Sequence, residues 1–355
     1  MDIRRKLKQE IFCSLRRLDI LQTLIEDSSI TEIMINGPDH IFVEKRGRME
    51  EVPIQFSSEE KLLQIIQRIV GDCNRTVNEV SPIVDARLQN GSRVNVVLSP
   101  IALNGPIVTI RKFPDCPLTI DQLISWGSIT KEAAEELRLY VQAGYNIFVS
   151  GGTGSGKTTF LNILSDFIPK DERIITIEDS AELQIQGIEN LIRLETRNEN
   201  VEGCHAITIR DLIKSSLRMR PDRIIVGEVR GSEAVDMITA FNTGHDGSMS
   251  TGHANSARDM LSRLENMILM GMDIPLAAVK QQIASAIDIM IHLGRIRDKS
   301  RRVLEITEID GIQDGEIKMH TLYEFTEDAS PRIGTLQKKG QLQHVEKLKA
   351  AGLML

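Results

Sequence analysis

A glycine-rich run in the middle of the chain contains residue types that bind phosphate. The segment Ser150-GGTGSGKTT-Phe160 follows a short apolar run, Asn146-Ile-Phe-Val149, and precedes a helix-like stretch. Its Gly-x4-Gly-Lys-Thr spacing fits the phosphate-binding loop in full. Glycines let backbone N–H groups turn inward toward phosphate oxygens, and the following helix N-terminus adds positive potential. The candidate cofactor-binding residues are Gly151, Gly152, Thr153, Gly154, Ser155, Gly156, Lys157, Thr158 and Thr159.

Two side chains of this run have distinct expected chemistry. Lys157 is expected to reach the β- and γ-phosphates of a nucleotide, and Thr158 is expected to offer its hydroxyl to Mg²⁺. The alternative is a chance glycine-rich turn, which the strand-like segment before it and the helix-like segment after it disfavour. The spacing therefore predicts a site for ATP with Mg²⁺.

Two later strand-like segments end in carboxylates. Arg173-Ile-Ile-Thr-Ile177 is followed by Glu178-Asp179, and Ile224-Ile-Val226 is followed by Gly227-Glu228. Open α/β sheets place their ligands at the carboxyl ends of the strands, although a Glu-Asp pair alone is more often a solvated turn or a helix cap. Glu228 is predicted to accept a proton from the attacking water, a role worth typically ~10²–10⁴ in rate. A carboxylate there favours hydrolysis over transfer to a small-molecule hydroxyl.

Two histidines follow within nine residues, in Gly244-His-Asp-Gly-Ser-Met-Ser-Thr-Gly-His253. Met249 to Thr251 is predicted to be a short strand that brings His253 to the nucleotide edge of the sheet. We interpret His253 as a sensor of the γ-phosphate, against the alternative of a structural histidine. A role as metal ligands is less well supported for these histidines, because no cysteine or third histidine lies nearby in the sequence.

The elements that must position these residues alternate between strand and helix from about residue 130 onward. Thr130 is expected to cap a helix that ends at Gly144. The alternation predicts a mainly parallel sheet with helices on both faces, and it fades near Gly294. We expect this domain to span 130–355, with a short β and helical carboxy-terminal appendage. A proline-containing linker is expected over 114–129.

Residues 1–113 are expected to form a smaller mixed α/β domain. Its first segment has an apolar stripe from Ile3 to Leu18 with basic residues mostly off it, which predicts an amphipathic helix. That helix could pack on its own domain or dock on a membrane surface or partner. Ser57-x-x-Glu60 predicts a helix start, and Asn90-Gly91 predicts a hairpin.

The composition excludes several function classes. The 355 residues carry a net charge of −7 and few aromatic side chains (1 Trp, 3 Tyr and 9 Phe), which disfavours a nucleic-acid motor. The four cysteines form no C-x-x-C pair, so neither a stable zinc site nor a disulfide framework is expected. No apolar run reaches the ~18 residues needed to span a bilayer, and no signal peptide is evident. We expect a cytoplasmic protein. A non-enzymatic module, in which ATP only switches the conformation, is an alternative to the ATPase function.

The four motifs together resemble the secretion ATPase superfamily of type II and type IV secretion and type IV pilus motors. They are GGTGSGKTT, TIEDSAEL, RPDRIIVGEVRG and GHDGSMSTGHANS, in the order of that family. The runs TEIMINGPDHIFVEKRGRME and GSRVNVVLSPIALNGPIVTIRKF are similar to the CpaF-type ATPases of Tad/Flp pilus assembly. The resemblance covers roughly residues 28–325. A conjugative type IV secretion ATPase is the alternative within the same superfamily.

The resemblance implies a RecA-like phosphate-loop motor domain preceded by a PAS-like α+β domain, with nucleotide between them. It also implies a homo-hexameric ring that hydrolyses ATP and associates with inner-membrane platform proteins. Lys157 and Thr158 would bind phosphate and Mg²⁺, with Glu178 and Glu228 also near the metal. Glu228 would be the base, and His253 would belong to the histidine box, with His245 as a second candidate for that box.

The superfamily also uses arginines to compensate the charge of the γ-phosphate. Arg93 and Arg111 are the candidates in the amino-terminal half, and Arg218, Arg220 and Arg230 are alternatives. Two departures qualify the resemblance. The zinc-binding tetracysteine of many type II secretion ATPases is missing, and the amino-terminal extension common in CpaF-like proteins is short.

Overall fold

A change in sequence pattern near residue 115 coincides with a division of the chain into two structural units. The computed structural model describes residues 18–45, 47–73, 75–88, 90–112, 117–197, 205–327 and 334–354. The units are Met1–Cys116 and Pro117–Leu355. The helix predicted from Ile3 to Leu18 lies almost entirely outside the described residues, as do Cys13, Cys116 and Cys204.

The amino-terminal unit is built on an antiparallel sheet in the order β3-β2-β1-β6-β5-β4. The helices α1 and α2 pack their apolar side chains against the strand side chains to form one core. The strands are β1 Ile30–Asn36, β2 Ile41–Lys45, β3 Arg48–Glu51, β4 Ile83–Arg87, β5 Arg93–Val97 and β6 Ile107–Arg111, and the helices are α1 Ile20–Glu26 and α2 Glu59–Asp72.

Two local predictions for this unit can be compared with the structure. The hairpin at Asn90-Gly91 is confirmed, because β4 and β5 on either side of it pair in antiparallel fashion. The helix start was placed one residue too early: the cap of α2 is Ser58, whose hydroxyl accepts a hydrogen bond from the backbone of Lys61. That bond reaches the third helical position, as an N-cap requires.

The carboxy-terminal unit is built on a mixed sheet in the order β15-β14-β13-β12-β7-β11-β10-β8-β9. The strands from β12 to β9 in that order are parallel, and β13 to β15 are antiparallel. The strands are β7 Ile147–Gly151, β8 Ile174–Glu178, β9 Leu191–Glu195, β10 Arg223–Val226, β11 Met249–His253, β12 Ile289–Arg295, β13 Arg301–Gln313, β14 Glu316–Glu327 and β15 Gly334–Lys338.

Helices cover both faces of this sheet, which is the RecA-like architecture that the sequence predicts. Ile147 and Val149 of β7 belong to one core with α4 and α5, whereas Phe148 belongs to a second core with α6 to α9. This alternation follows from the two-residue period of a strand. The helices are α3 Ile120–Ser125, α4 Lys131–Gln142, α5 Lys157–Ser165, α6 Ile209–Ser216, α7 Ala234–Phe241, α8 Ala257–Gly271, α9 Leu276–Ala286 and α10 Glu346–Ala350.

The structure differs from the expected organisation in two places. The stretch assigned as a linker, 114–129, contains α3, which a reciprocal capping box between Thr119 and Gln122 begins. The strands β13 and β14 are long and continue the main sheet through pairing with β12, so they are part of that sheet rather than a short appendage. Within the described ranges, none of the helices is long and apolar enough to cross a membrane.

Candidate phosphate-binding site

The carboxyl ends of four neighbouring parallel strands bring the predicted site residues to one edge of the sheet. Gly151 at the end of β7 lies beside His253 at the end of β11. Val226 at the end of β10 lies beside Ile177 of β8, so Glu178 and Gly227 are adjacent. The hydroxyl of Thr251 donates a hydrogen bond to the carbonyl of Gly227 at 2.7 Å. The segment that carries the predicted base is therefore tied to the histidine strand.

The start of α5 is open in a way that suits an anion. Gly156 precedes Lys157 with a φ of 97°, a conformation that glycine adopts without strain, and it offers no side chain to cap the helix. By contrast, the hydroxyls of Thr130 and Thr208 cap α4 and α6. The first N–H groups of α5 consequently have no side-chain cap, and such groups bind phosphate or carboxylate oxygens.

Lys157 is buried and folds back over the loop. Its side chain donates hydrogen bonds to the carbonyls of Gly151 and Gly152, both at 3.1 Å. The same Nζ lies 3.1 Å from Nδ1 of His253. Because an ammonium group can only donate, Nδ1 must be the acceptor and the imidazole proton must lie on Nε2. Burial lowers the pKa of His253 below its usual value, and the neighbouring Glu228 opposes that shift.

Glu228 lies between His253 and Arg230. Its Oε1 is 2.7 Å from Nε2 of His253, although the contact lacks the alignment of a hydrogen bond and is electrostatic in character. Its Oε2 accepts hydrogen bonds from Nε and Nη2 of Arg230, at 2.9 and 2.5 Å. Lys157, His253, Glu228 and Arg230 thus form one continuous chain of polar contacts across the edge of the sheet.

Glu178 is almost fully buried beside this chain. Its Oε1 accepts hydrogen bonds from the backbone N–H groups of Glu182 and Leu183, at 2.8 and 2.9 Å. Its Oε2 is buried and has no hydrogen-bond partner. Burial raises the pKa of Glu178 to about 7, although the two N–H groups and the charge of Arg193 oppose the shift. A Cβ atom at Gly227 would lie 2.8 Å from the Glu178 side chain, so close packing requires glycine there.

The donor set at this edge fits Mg²⁺. The hydroxyl of Thr158 and the carboxylates of Glu178 and Glu228 are oxygen ligands, which this cation prefers. The unpartnered Oε2 of Glu178 is an atom that a cation or a proton could satisfy. Among the described residues, no three His, Cys, Asp or Glu side chains gather as a metal site. Mg²⁺ would therefore need further oxygens from phosphate and water, as is usual for it.

The arginines predicted in the amino-terminal half lie together on its sheet. Arg93 of β5 is directly opposite Arg111 of β6, and Arg87 of β4 continues the same row. Glu32 of β1 lies opposite Arg111 on its other side. Burial raises the pKa of Glu32, and the charge of Arg111 opposes that shift.

The other arginine candidates and the second histidine lie at two different edges of the sheet. Arg230 lies at the carboxyl edge against Glu228. Arg218 and Arg220 precede β10, and His245 precedes β11, so these three residues lie toward the opposite edge of the sheet. The ring of His245 is 3.2 Å from the carbonyl of Ala240 near the end of α7. Of these candidates in the carboxy-terminal unit, the fold brings only Arg230 to the predicted site.

Two arginines that no sequence motif indicates contact the glycine-rich loop. Nε of Arg295 and Nε of Arg301 donate hydrogen bonds to the carbonyl of Gly154, at 3.1 and 3.0 Å. They lie at the end of β12 and the start of β13. The basic run RIRDKSRR from Arg295 to Arg302 was a visible signal. Its connection to the loop depends on β12 pairing with β7, which the run itself does not reveal.

The fold and the glycine-rich edge define a mixed α/β protein with a candidate phosphate-binding site, and sequence comparison shows its family. Residues 15–344 match the family described as "Type II/IV secretion system protein". The chain belongs to this family, as the four motifs predict.

Two relatives show the same affiliation. "Conjugal transfer protein TrbB" of Rhizobium radiobacter is 31% identical over 315 residues, which cover 88% of this chain and 93% of that protein. "Type IV secretion system protein PtlH" of Bordetella pertussis is 33% identical over 324 residues, which cover 83% of this chain and 95% of that protein.

A solved structure shows the same fold. The ATPase DotB of Legionella pneumophila is similar with a TM-score of 0.57 and 22% sequence identity. The likeness covers 80% of this chain and 78% of the DotB chain. The fold is therefore shared with a solved ATPase.

The raised pKa of Glu178 predicts a pH dependence of stability. The carboxyl is protonated to about pH 7 in the folded chain but only to about 4.5 when unfolded, so the folded state binds the extra proton. Stability should then fall as the pH rises from about 4.5 through about 7, by up to about 3 kcal/mol. Glu178→Gln removes this titration, so its unfolding free energy relative to wild type should increase between pH 5 and pH 8.

Urea unfolding at both pH values measures this difference. Asp179→Asn, a change at the exposed neighbouring carboxylate, is the matched control and should show a much smaller pH-dependent difference. An equal difference from wild type at pH 5 and pH 8 for Glu178→Gln would contradict the burial argument.

Proposed function

We propose that this chain is an ATP-hydrolysing motor of a secretion or pilus machine. The observation that carries the proposal is the chain of contacts from Lys157 through His253 to Glu228 at the open start of α5. It combines a phosphate-binding cation, a neutral imidazole and a carboxylate at one edge of a RecA-like sheet. A site built only to bind nucleotide has no need of the carboxylate.

In the proposed reaction, the phosphates of ATP bind the first N–H groups of α5 and the ammonium of Lys157. Phosphate oxygens then replace the loop carbonyls and His253 as partners of Nζ. When Nζ of Lys157 binds phosphate, Nδ1 of His253 loses its donor and can accept a hydrogen bond from another group. The hydrogen bonding of the imidazole therefore changes when the terminal phosphate binds. The oxygen of a water molecule then bonds to the γ-phosphorus, while the bond from that phosphorus to the bridging oxygen breaks and ADP leaves with that oxygen. Glu228 takes the proton of the attacking water, and for this one of its oxygens turns from Arg230 or His253 toward the water.

Mg²⁺, when bound, would neutralise phosphate charge and orient the phosphate oxygens, held by Thr158 with Glu178 and Glu228 nearby. The buried Glu178 also has a role that needs no metal. Its carboxylate accepts hydrogen bonds from the backbone N–H groups of Glu182 and Leu183 and so holds the acidic loop after β8 in place. We propose that this loop orders the metal or water ligands beside Glu228.

The assembly is proposed from the resemblance of the four motifs. They support a homo-hexameric ring on the cytoplasmic face of the membrane, held there by platform proteins of the machine. Arg93 and Arg111 are proposed to compensate the charge of the γ-phosphate, in the same subunit or in a neighbouring one. Their side-by-side position on the sheet concentrates the positive charge needed for that role.

The machine itself is proposed to be a Tad/Flp type IV pilus. The support is the likeness of the runs TEIMINGPDHIFVEKRGRME and GSRVNVVLSPIALNGPIVTIRKF to CpaF-type ATPases. A conjugative type IV secretion machine is the second candidate, because the relatives TrbB and PtlH are named for conjugal transfer and type IV secretion. Both candidates use the same hydrolytic site.

Replacing the proposed base tests hydrolysis. Glu228→Gln keeps the shape of the side chain but removes its basicity, so phosphate release from Mg·ATP should fall by about 10²–10⁴. Nucleotide affinity should stay within a few-fold, since Lys157 and the α5 N–H groups remain. Glu189→Gln, at an exposed glutamate of the same unit, is the control. Turnover of Glu228→Gln within a few-fold of wild type would exclude Glu228 as the base.

Genetic deletion distinguishes the two machines. Loss of the gene should abolish surface pili, and complementation with wild type but not with Glu228→Gln should restore them. DNA transfer between cells should be unchanged in the same strain. Intact pili together with lost DNA transfer would instead support the conjugative machine, and DNA-stimulated ATP turnover would favour a nucleic-acid translocase.

A further inference from the structure

A third histidine, His292, is buried behind the phosphate loop and is not used by the proposed reaction. It lies on β12, directly beside Ser150 of β7, and only 6% of it is exposed. Its Nδ1 is 2.9 Å from the hydroxyl oxygen of Ser150. The backbone of Asn255 is the second polar neighbour of the imidazole, and it acts to raise the pKa of His292. A buried imidazole with two polar partners is a fixed connection between the segments that carry them.

Those two segments belong to the proposed site. Ser150 immediately precedes Gly151, whose carbonyl accepts a hydrogen bond from Lys157. Asn255 follows His253 by two residues, in the turn that leads from β11 to α8. The ladder between β7 and β11 ends at the pair Gly151 and His253. Beyond it, the hydrogen bond from the N–H of Ala254 to the carbonyl of Gly151 is long at 3.4 Å. The connection through His292 therefore reinforces a weak backbone contact.

The surroundings of His292 favour a neutral ring. Burial lowers its pKa, and the positive charge of Lys157 on α5 acts in the same direction. Asp259 on α8 and the Asn255 backbone oppose this effect, and Glu305 is the register partner on β13. A neutral imidazole has one donor and one acceptor nitrogen, which suffices for the backbone group and the hydroxyl.

We propose that His292 is a positioning residue that holds the turn after His253 against the phosphate loop. The inference rests on the proposed ATP hydrolysis. The Lys157–His253 contact spans the same two segments, so a looser connection lets His253 move relative to Lys157 and Glu228. Loss of His292 should slow the chemical step, while the N–H groups and the ammonium that bind phosphate remain in place.

Two substitutions separate positioning from filling of space. His292→Phe keeps a ring but loses the polar contacts of the imidazole, and kcat for Mg·ATP should fall about tenfold or more. The affinity for a fluorescent ADP should stay within about twofold, and so should KM. His292→Gln retains one donor and one acceptor, so it should keep kcat within about threefold of wild type. His205→Phe, at an exposed histidine of the same unit, is the control.

A double substitution tests the Ser150 connection. If His292 acts through Ser150, the two substitutions remove the same connection. The fold loss of kcat in the double variant Ser150→Ala with His292→Phe should then be smaller than the product of the fold losses in the two single variants. The midpoint of thermal unfolding of each variant shows whether a loss of kcat results from unfolding of the protein.

Three results would overturn the inference. They are a His292→Phe kcat within twofold of wild type, a parallel loss of kcat and ADP affinity in that variant, and a His292→Gln variant as slow as His292→Phe. If wild type binds ADP but releases no phosphate from ATP, the proposed hydrolysis fails and this role for His292 fails with it. A hydrolysing wild type with an unaffected His292→Phe variant refutes the role of His292 alone.

Discussion

The buried ammonium group of Lys157 is the constraint on which the rest of the site depends. A charge taken out of water must be compensated by hydrogen bonds or by opposite charge. Here two loop carbonyls and Nδ1 of His253 surround it. This arrangement fixes the curl of the loop and the tautomer of the histidine. It also directs the other ring nitrogen of His253 toward Glu228, so one cation orders the loop, the imidazole and the carboxylate.

Sheet geometry brings the residues around that cation together from distant parts of the sequence. The parallel pairing of β7 with β11 places Gly151 beside His253, and the pairing of β8 with β10 places Glu178 beside Gly227. On the other side of β7, its parallel pairing with β12 places His292 behind the loop. A site built on strand ends is rigid, which suits chemistry that depends on the placement of a few polar atoms.

The parts of this arrangement that are local could be predicted from the sequence. The phosphate loop, Glu178, Glu228 and His253 each end a recognisable strand, so motif spacing was enough to place them. It did not place Arg295, Arg301 or His292, because their roles depend on the non-local pairing of β12 with β7. The predicted strand from Met249 to Thr251 also separated His253, at the carboxyl end of β11, from His245 before its start. The short helix α3 was hidden by the prolines before it.

Binding of nucleotide tests the central claim, that Lys157 is a phosphate-binding cation, most directly. Isothermal titration calorimetry with Mg·ADP should compare wild type with Lys157→Ala and with the control Lys170→Ala, an exposed lysine just after α5. A charge-assisted hydrogen bond contributes about 1.5–3 kcal/mol, so Lys157→Ala should weaken binding about 10- to 100-fold. The control should bind within twofold of wild type. Equal affinities for wild type and a folded Lys157→Ala variant would contradict the account.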